Sequence, residues 1–268
     1  MPRLVSAALA AGLALVLALV LARPGLADTA GAASFKSEYT LSAFGLRIAS
    51  TEFDTTIGDD RYEITGSLRT RGIARLLSTT DGTLTATGRL TAGQVTPVRF
   101  EARYTDGGKA KRTVIDFEGD RVADTVNDPV VRKTDDWIDM PAAQLVGAFD
   151  PAAAILVPAR SLREVCRRTL RVYDGAMRAD LKLGYLRTIP FSAKGYNGDA
   201  VTCRARLEPV AGYSPTKKDL IYIRDNGDIE ISFAPVGRTG LFAPVRVKLR
   251  AQPATVLITA TRFEQLAP

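Results

Sequence analysis

The chain has 268 residues, of which 46% are apolar, and 36 Lys and Arg outnumber 29 Asp and Glu to give a formal charge of +7. It contains no histidine, which excludes Ser-His-Asp and Cys-His nucleophile systems and removes the commonest zinc ligand. Gly-x-Ser-x-Gly and Walker-type motifs are also absent. We therefore expect no enzyme, no bound metal and no cofactor.

The N-terminal segment has the regions of a secretory signal peptide. Arg3 supplies a positive charge, and residues 4–22 form an uncharged stretch rich in Leu, Ala and Val. Gly25-Leu26-Ala27 then places small residues at the two positions that signal peptidase recognises. We predict cleavage after about Ala27, with Ala30 or Ala33 as alternative sites.

Cleavage predicts a periplasmic protein with a single β-rich domain over residues 28–268. The alternative is a retained membrane anchor, since an apolar run of roughly 20 residues can span a bilayer. Removal takes away Arg3 and Arg23 and no acid, so the charge of the mature domain stays positive. A positive charge of this size is as often a solvated surface as a binding surface, and outside the cytoplasm its partner would be an anionic envelope component rather than nucleic acid. We expect the mature protein to be a monomer that does not span the membrane.

From Ser34 onward, apolar residues alternate with polar ones, which is typical of antiparallel strands with one dry face and one wet face. The alternation is clearest at residues 98–104, 177–185, 201–208 and 245–250. Turn residues separate such runs, and we count eleven or twelve strands. The strongest turn signal is Asn226-Gly227, which predicts a hairpin with a type I′ turn.

Two segments interrupt the alternation. Residues 135–149 predict a loop and a short helix, with Trp137 and Leu145-Val146 as core contacts. Residues 150–157 predict a second, buried helix, because Asp150 can cap it, Pro151 suits its first position and the remainder is apolar. A minor third candidate covers residues 72–77.

A sheet of a dozen strands cannot stay open and flat. We therefore predict a mainly β fold, a strongly curved antiparallel sheet or incomplete barrel of about eleven to twelve strands, with one or two short helices at about 140–158 packed against it. The competing prediction is a twelve-strand outer-membrane β-barrel, whose apolar faces would contact lipid. An aromatic content of 7% and the helical insertion favour the soluble curved sheet.

Cys166 and Cys203 are the two cysteines of the chain, and both lie in the part that we expect to be exported, where thiols are normally oxidised. We predict a disulfide between them, which would contribute roughly 4 kcal/mol to stability before any native strain is subtracted. Redox-active pairs usually have Cys-x-x-Cys spacing, so we expect this bond to be structural.

Five arginines lie close to Cys166 and are candidates for binding an anion, because guanidinium groups suit phosphate and carboxylate. They are Arg160, Arg163, Arg167, Arg168 and Arg171. The alternative is structural, with Arg168 and Arg171 at outward positions of a strand.

Three acids surround Trp137: Asp135, Asp136 and Asp139. They could bind calcium or supply the carboxylate pair of a glycoside hydrolase. The spacing matches no calcium loop, and solvent-exposed acids before a helix are the simpler interpretation. A further candidate is the concave face of the sheet, which could hold an acyl chain or lipidated peptide, or form an ordinary solid core.

Three segments resemble the family of exported bacterial proteins called domain of unknown function 3108. They are the stretch from Phe35 to about Ile57, which contains Tyr39-Thr40-Leu41-Ser42, then Asp150-Pro151 with the apolar run after it, and the segment from Cys203 to Tyr213. The resemblance covers nearly the whole mature chain and implies a periplasmic location, with no reaction and no catalytic residues. A looser similarity of fold to the lipoprotein carriers of the envelope implies a role in supporting the envelope.

The leading hypothesis is therefore a non-enzymatic periplasmic protein that supports the cell envelope by binding a lipid, lipoprotein, lipopolysaccharide or cell-wall glycan. The alternatives are a carboxylate-dependent hydrolase of envelope polymers, an interaction scaffold and the outer-membrane β-barrel.

Overall fold

The computed structural model describes residues 33–70, 80–91, 93–251 and 254–266. They belong to the unit Ala32–Pro268. The predicted signal peptide and the third helix candidate at residues 72–77 lie outside the described residues.

Within the residues that the structure describes, one antiparallel sheet of fourteen strands dominates the fold, a slightly higher number than we predicted. The strands are β1 (Ala33–Ala43), β2 (Leu46–Ile57), β3 (Arg61–Thr70), β4 (Thr80–Thr91), β5 (Gln94–Asp106), β6 (Lys109–Glu118), β7 (Arg121–Asp128), β8 (Val157–Pro158), β9 (Thr169–Tyr173), β10 (Arg178–Ala193), β11 (Tyr196–Ala211), β12 (Ile229–Pro235), β13 (Leu241–Arg250) and β14 (Thr255–Leu266). Strands that follow one another in sequence mostly pair, while β1 lies beside β14 and the short β8 pairs with β13.

The sheet is not closed, as predicted for an incomplete barrel, and its edge strands are β7 and β9. Residues 146–149 lie between the two edges and contact both. The Gly147 amide donates to the Asp120 carbonyl beside β7, and the Phe149 amide donates to the Arg171 carbonyl of β9 at 2.7 Å. The chain thus spans the gap between the edges without continuing the regular ladder.

The two helices predicted near residues 140–158 are single 3-10 turns, Ala142–Leu145 and Ala153–Ile155. Asp150 does cap the second, since its Oδ1 accepts from the Ala152 and Ala153 amides at 2.9 Å. The helix ends early because residue 157 precedes a proline, which disfavours helical backbone, and Val157–Pro158 pairs with β13.

The predicted hairpin at Asn226-Gly227 is wrong, because Lys218–Asn226 is an α-helix. Gly227 has a φ of −63°, whereas a type I′ turn needs positive φ at both central residues. A Cβ on Gly227 would lie 2.0 Å from the Ile223 carbonyl oxygen, so this glycine permits close approach to the end of the helix. Ile223 packs against the core rather than extending in a strand. We call this helix α2, and Leu162–Val165 is α1.

The core has two clusters of buried residues. The inner cluster lies between the first strands, parts of β13 and β14, and residues 148–156, which we call the plug; Ala148, Ala152, Ala153 and Leu156 of the plug are buried there. The outer cluster packs residues of β11, β12 and β13 against Val165 of α1.

The predicted disulfide is present in the outer cluster. Cys166 follows α1 and bonds to Cys203 of β11, with 5.4 Å between the Cα atoms. Both cysteines are buried. The bond therefore fixes α1 onto the sheet.

Candidate functional site

The concave face of the sheet is covered at one end and open at the other. Alternate residues of β3 to β6 face inward, and four at the covered end are at most 4% exposed: Tyr62, Ala86, Phe100 and Ile115. Further along the same strands, Leu68 and Leu84 are only partly buried, and Tyr104 is 38% exposed. The apolar concave surface thus extends beyond the plug.

The ring of Tyr62 fills the covered end of the concave face by packing closely against Gly88. The ring of Tyr62 lies over Gly88 of the neighbouring strand, where a Cβ would be 2.4 Å from the ring. A larger residue at position 88 would displace Tyr62. The Tyr62 hydroxyl is consequently held in the interior, near the plug.

The open end contains a cleft of about 420 Å³, which we call the mouth cleft. Its apolar lining includes Phe100, Ala102, Tyr104, Pro129, Val131 and Pro151. Pro151 belongs to the plug, so the plug forms one wall of the cleft.

Polar and charged groups also line the mouth cleft, and they include Arg112, Asp128 and Asp174. Lys111 Nζ lies 5.6 Å from the centroid of the Tyr104 ring, within the range of a cation–π contact. Thr113 Oγ1 donates to Asn127 Oδ1 at 2.9 Å, and Asn127 Nδ2 donates to the Gly175 carbonyl at 2.8 Å. These bonds connect β6 and β7 to the turn after β9, so they fix one wall across the gap in the sheet.

A second cleft of about 430 Å³ adjoins the first and shares Asn127, Val131 and Ala176 with it. Trp137 and Met140 contribute to its lining. Of the predicted core contacts, Leu145 packs against the inner cluster, whereas Val146 is exposed beside β7.

The five arginines near Cys166 have different surroundings. Arg168 donates to the carbonyl oxygens of Val165 and Pro158, at 3.1 and 2.7 Å. Arg163 lies 5.3 Å from the centroid of the Tyr185 ring. The side chains of three make no hydrogen bond or ion pair within the described residues, and all three are exposed: Arg160, Arg167 and Arg171. Of the five, Arg168 is held most firmly.

Asp136, in the acidic group around Trp137, connects two loops. Its carboxylate accepts from Thr134 at 2.5 Å, Ser214 at 3.0 Å and Thr216 at 2.6 Å. The hydrogen bonds from Thr134, Thr216 and Ser214 hold the pKa of Asp136 near 2. Such a carboxylate stays ionised at neutral pH and serves as a hydrogen-bond acceptor between the loops.

The other two acids of that group are exposed, and Asp139 forms an ion pair with Lys133 at 2.6 Å. Within the described residues, no three acidic or cysteine side chains are arranged to hold a metal ion. The geometry therefore does not favour a carboxylate pair or a calcium site around Trp137.

Sequence reasoning missed a pair of buried polar groups in the interior. In the described part of the chain, neither the Tyr62 hydroxyl nor Asp150 Oδ2 has a hydrogen-bond partner, and both residues are almost completely buried. Burial raises the pKa of Asp150 to about 6. It also raises the pKa of Tyr62, as does the charge of Asp150. The only available signal was Asp150 before an apolar run, which predicted the cap but not the tyrosine.

Comparison with known proteins shows the family of this chain. The chain matches a crystal structure of a β-barrel-like protein of domain of unknown function DUF1849 from Brucella abortus, with 9% identity, a TM-score of 0.47, and coverage of 88% of this chain and 99% of that one. No curated protein matches. Among the described residues, no helix has the length and apolar character needed to cross a membrane. The family model for protein of unknown function DUF3108 matches residues 38–260, so the chain belongs to the DUF3108 family.

Proposed function

We propose that this protein is a non-enzymatic periplasmic protein that supports the cell envelope by holding the apolar chain of a lipid or lipoprotein in the mouth cleft. The proposal is based on the side chains of the concave face, which are buried at the covered end and become exposed towards the open end. Phe100 is covered by the plug, whereas Tyr104 on the same strand and face is 38% exposed. The apolar surface beyond the plug is therefore accessible to a ligand.

The size and lining of the mouth cleft suit this class of ligand. Small-molecule pockets commonly enclose roughly 300–1,000 Å³ and combine an apolar lining with few polar groups. The volume of about 420 Å³ falls in that range. Lys111 and Arg112 line the cleft together with Asp128 and Asp174, so charged groups of both signs lie beside the apolar lining and can contact a polar headgroup.

The apolar part of the lining, which includes Phe100, Ala102 and Val131, suits an acyl chain. The hydrolase alternative is less favoured, since Asp136 is occupied by three hydroxyl groups and Asp139 by Lys133. The periplasmic location rests on the signal-peptide pattern of residues 1–27.

The test is to purify the protein from the periplasm and to measure bound lipid by native mass spectrometry and by lipid extraction. A fluorescent fatty acid then gives the affinity. Ala102→Trp should fill the cleft and weaken binding at least about tenfold, since Ala102 lies on its floor. Thr65→Trp is the matched control, because Thr65 is exposed on the opposite face of β3 and should leave the affinity unchanged.

A mass without ligand, together with no binding of lipids, lipopolysaccharide or glycan, would refute the proposal. Equal losses of affinity in both tryptophan variants would place the ligand elsewhere.

A further inference from the structure

A third cleft lies at the opposite end of the sheet from the mouth cleft, where β5 begins. It has a volume of about 470 Å³, and we call it the Arg168 cleft. Its lining includes Val95, Phe149, Leu156, Val157, Leu170 and Arg168. Val95 and Leu156 belong to the inner cluster, whereas Val157 and Leu170 belong to the outer one. The cleft thus lies where the two cores meet.

Arg168 is the cationic group in this apolar lining. Its Nε donates to the Val165 carbonyl at 3.1 Å, and its Nη2 donates to the carbonyls of Pro158 at 2.7 Å and Glu164 at 3.5 Å. Nη1 makes no hydrogen bond with any described residue, so its two N–H groups are available. The carbonyls orient the guanidinium without neutralising its charge.

No acid compensates this charge at close range in the described part of the chain, where no carboxylate oxygen lies within 4.0 Å of the guanidinium. Glu164 is the acid that influences it, and the Glu164 carboxylate accepts instead from the Arg160 amide at 2.9 Å. The guanidinium is half-buried, and this burial lowers the pKa of Arg168. A half-buried cation without an ion-pair partner favours an anionic ligand.

We propose that the Arg168 cleft binds an anionic amphiphile, a molecule with one carboxylate or phosphate monoester group on an apolar body. The N–H groups of Nη1 donate to the oxyanion in charge-assisted hydrogen bonds. The apolar body contacts Leu156, Val157 and Leu170. This site is separate from the mouth cleft and does not depend on the function proposed for it.

The first experiment compares four probes by titration calorimetry: octyl phosphate, octanoate, octanol and inorganic phosphate. Octyl phosphate and octanoate should bind at least about tenfold more tightly than octanol, which lacks the charge, and than inorganic phosphate, which lacks the apolar body. Equal affinity for octanol, or no binding of either charged amphiphile, would overturn the proposal. Tight binding of inorganic phosphate would also overturn it.

A second experiment changes the charge at the rim without altering Arg168. Gln94 is exposed and lines the cleft. Gln94→Glu should weaken octyl phosphate binding several-fold through repulsion, and Gln94→Lys should strengthen it. Identical affinities in the two variants would contradict the assignment. Because both variants leave Arg168 in place, they test the site even if substitutions of Arg168 impair folding.

A third comparison removes the cation itself. Arg168→Gln should reduce the affinity for octyl phosphate at least about tenfold, with little change for octanol. Arg167→Gln is the control, because Arg167 is exposed and is not part of the cleft lining. In the Ala102→Trp variant, which fills the mouth cleft, octyl phosphate should still bind, and adding Arg168→Gln should still reduce that affinity at least about tenfold. A loss of binding in Ala102→Trp, with none in Arg168→Gln, would place the amphiphile in the mouth cleft and overturn the assignment.

Discussion

Strands β1 to β7 and strands β9 to β14 bury their side chains differently. β3 alternates strictly over its first five residues, with Tyr62 and Ile64 buried and their neighbours exposed. In β12, by contrast, four consecutive residues from Ile231 to Ala234 are buried. The difference arises because α1 and the outer cluster cover the second face of the later strands. Antiparallel strands alternate only when one of their faces remains in water.

The two regions also differ in what lies on their outer surface. On the outer face of β5, Glu101 forms ion pairs with Arg99, Arg103 and Arg112. The corresponding region of β11 carries the disulfide between Cys203 and Cys166. We therefore expect the later strands to depend on enclosed packing and a covalent bond, and the earlier ones on weaker surface contacts.

The largest effect is expected from removing a ring in the doubly covered region. Phe233 is 0% exposed, so Phe233→Ala should lower the free energy of unfolding by about 4 to 5 kcal/mol. Phe100→Ala, next to the mouth cleft, should cost about 3 kcal/mol, because solvent can enter the space that it leaves. Urea denaturation measures both, and equal costs would contradict the comparison.

Loss of the disulfide should come next. Cys203→Ser should lower the free energy of unfolding by about 4 kcal/mol and leave a free thiol at Cys166. Denaturation with and without reductant, together with thiol titration, provides the check. The unmodified protein should lose a similar amount in reductant, and equal stability in both conditions would count against a structural role for the bond.

The buried carboxyl of Asp150 should make stability depend on pH. Its pKa is raised from 3.8 to about 6. The protonated carboxyl therefore contributes its full share to the free energy of unfolding below about pH 4, and this share is lost as pH rises through 6. The loss amounts to about 3 kcal/mol. Asp150→Asn keeps an oxygen for the Ala152 and Ala153 amides but cannot ionise.

We therefore expect the Asp150→Asn variant to lose less stability than the unmodified protein between pH 4 and pH 7.5. Urea denaturation at several pH values measures the free energy of unfolding of both proteins. The other acids contribute equally to both, so their contribution cancels in the difference. Parallel profiles would show that Asp150 does not titrate in the interior.

The smallest effect is expected at the outer face of β5. Hydrogen bonds from Arg112 and Arg103 lower the pKa of Glu101 to about 2, so its contribution is present above about pH 4.5 and is lost as pH falls towards 2. Glu101→Gln should cost about 1 kcal/mol at pH 7, because solvent screens such pairs. The cost should shrink near pH 2 and in high salt, and a cost that is independent of both would exclude an ionic origin.

The sequence predicted the curved, open antiparallel sheet because alternation and turn residues are local signals. It failed at Asn226-Gly227, where the same dipeptide that suits a type I′ turn lets a helix end close to Ile223. Tertiary packing of Ile223 decided between these structures, and that contact joins residues that are distant in the chain.

The candidate sites were less predictable than the fold. Whether the concave face is filled depends on how far the plug reaches, and the plug has only one helical turn because of Val157–Pro158. Arg168 could not be distinguished from its four neighbours by residue type. Only the contact of its guanidinium with the Val165 and Pro158 carbonyls sets it apart.

The segment that crosses the gap between β7 and β9 bears on the solubility of the protein. Open sheets expose edge strands that can pair with other molecules and begin aggregation. Val146 pairs with Arg121, the first residue of β7, and Phe149 pairs with Val172 of β9, so one short segment shields part of both edges. Because the plug begins within that segment, withdrawing the plug would uncover the edges while emptying the interior. Damage to the core would therefore promote self-association directly.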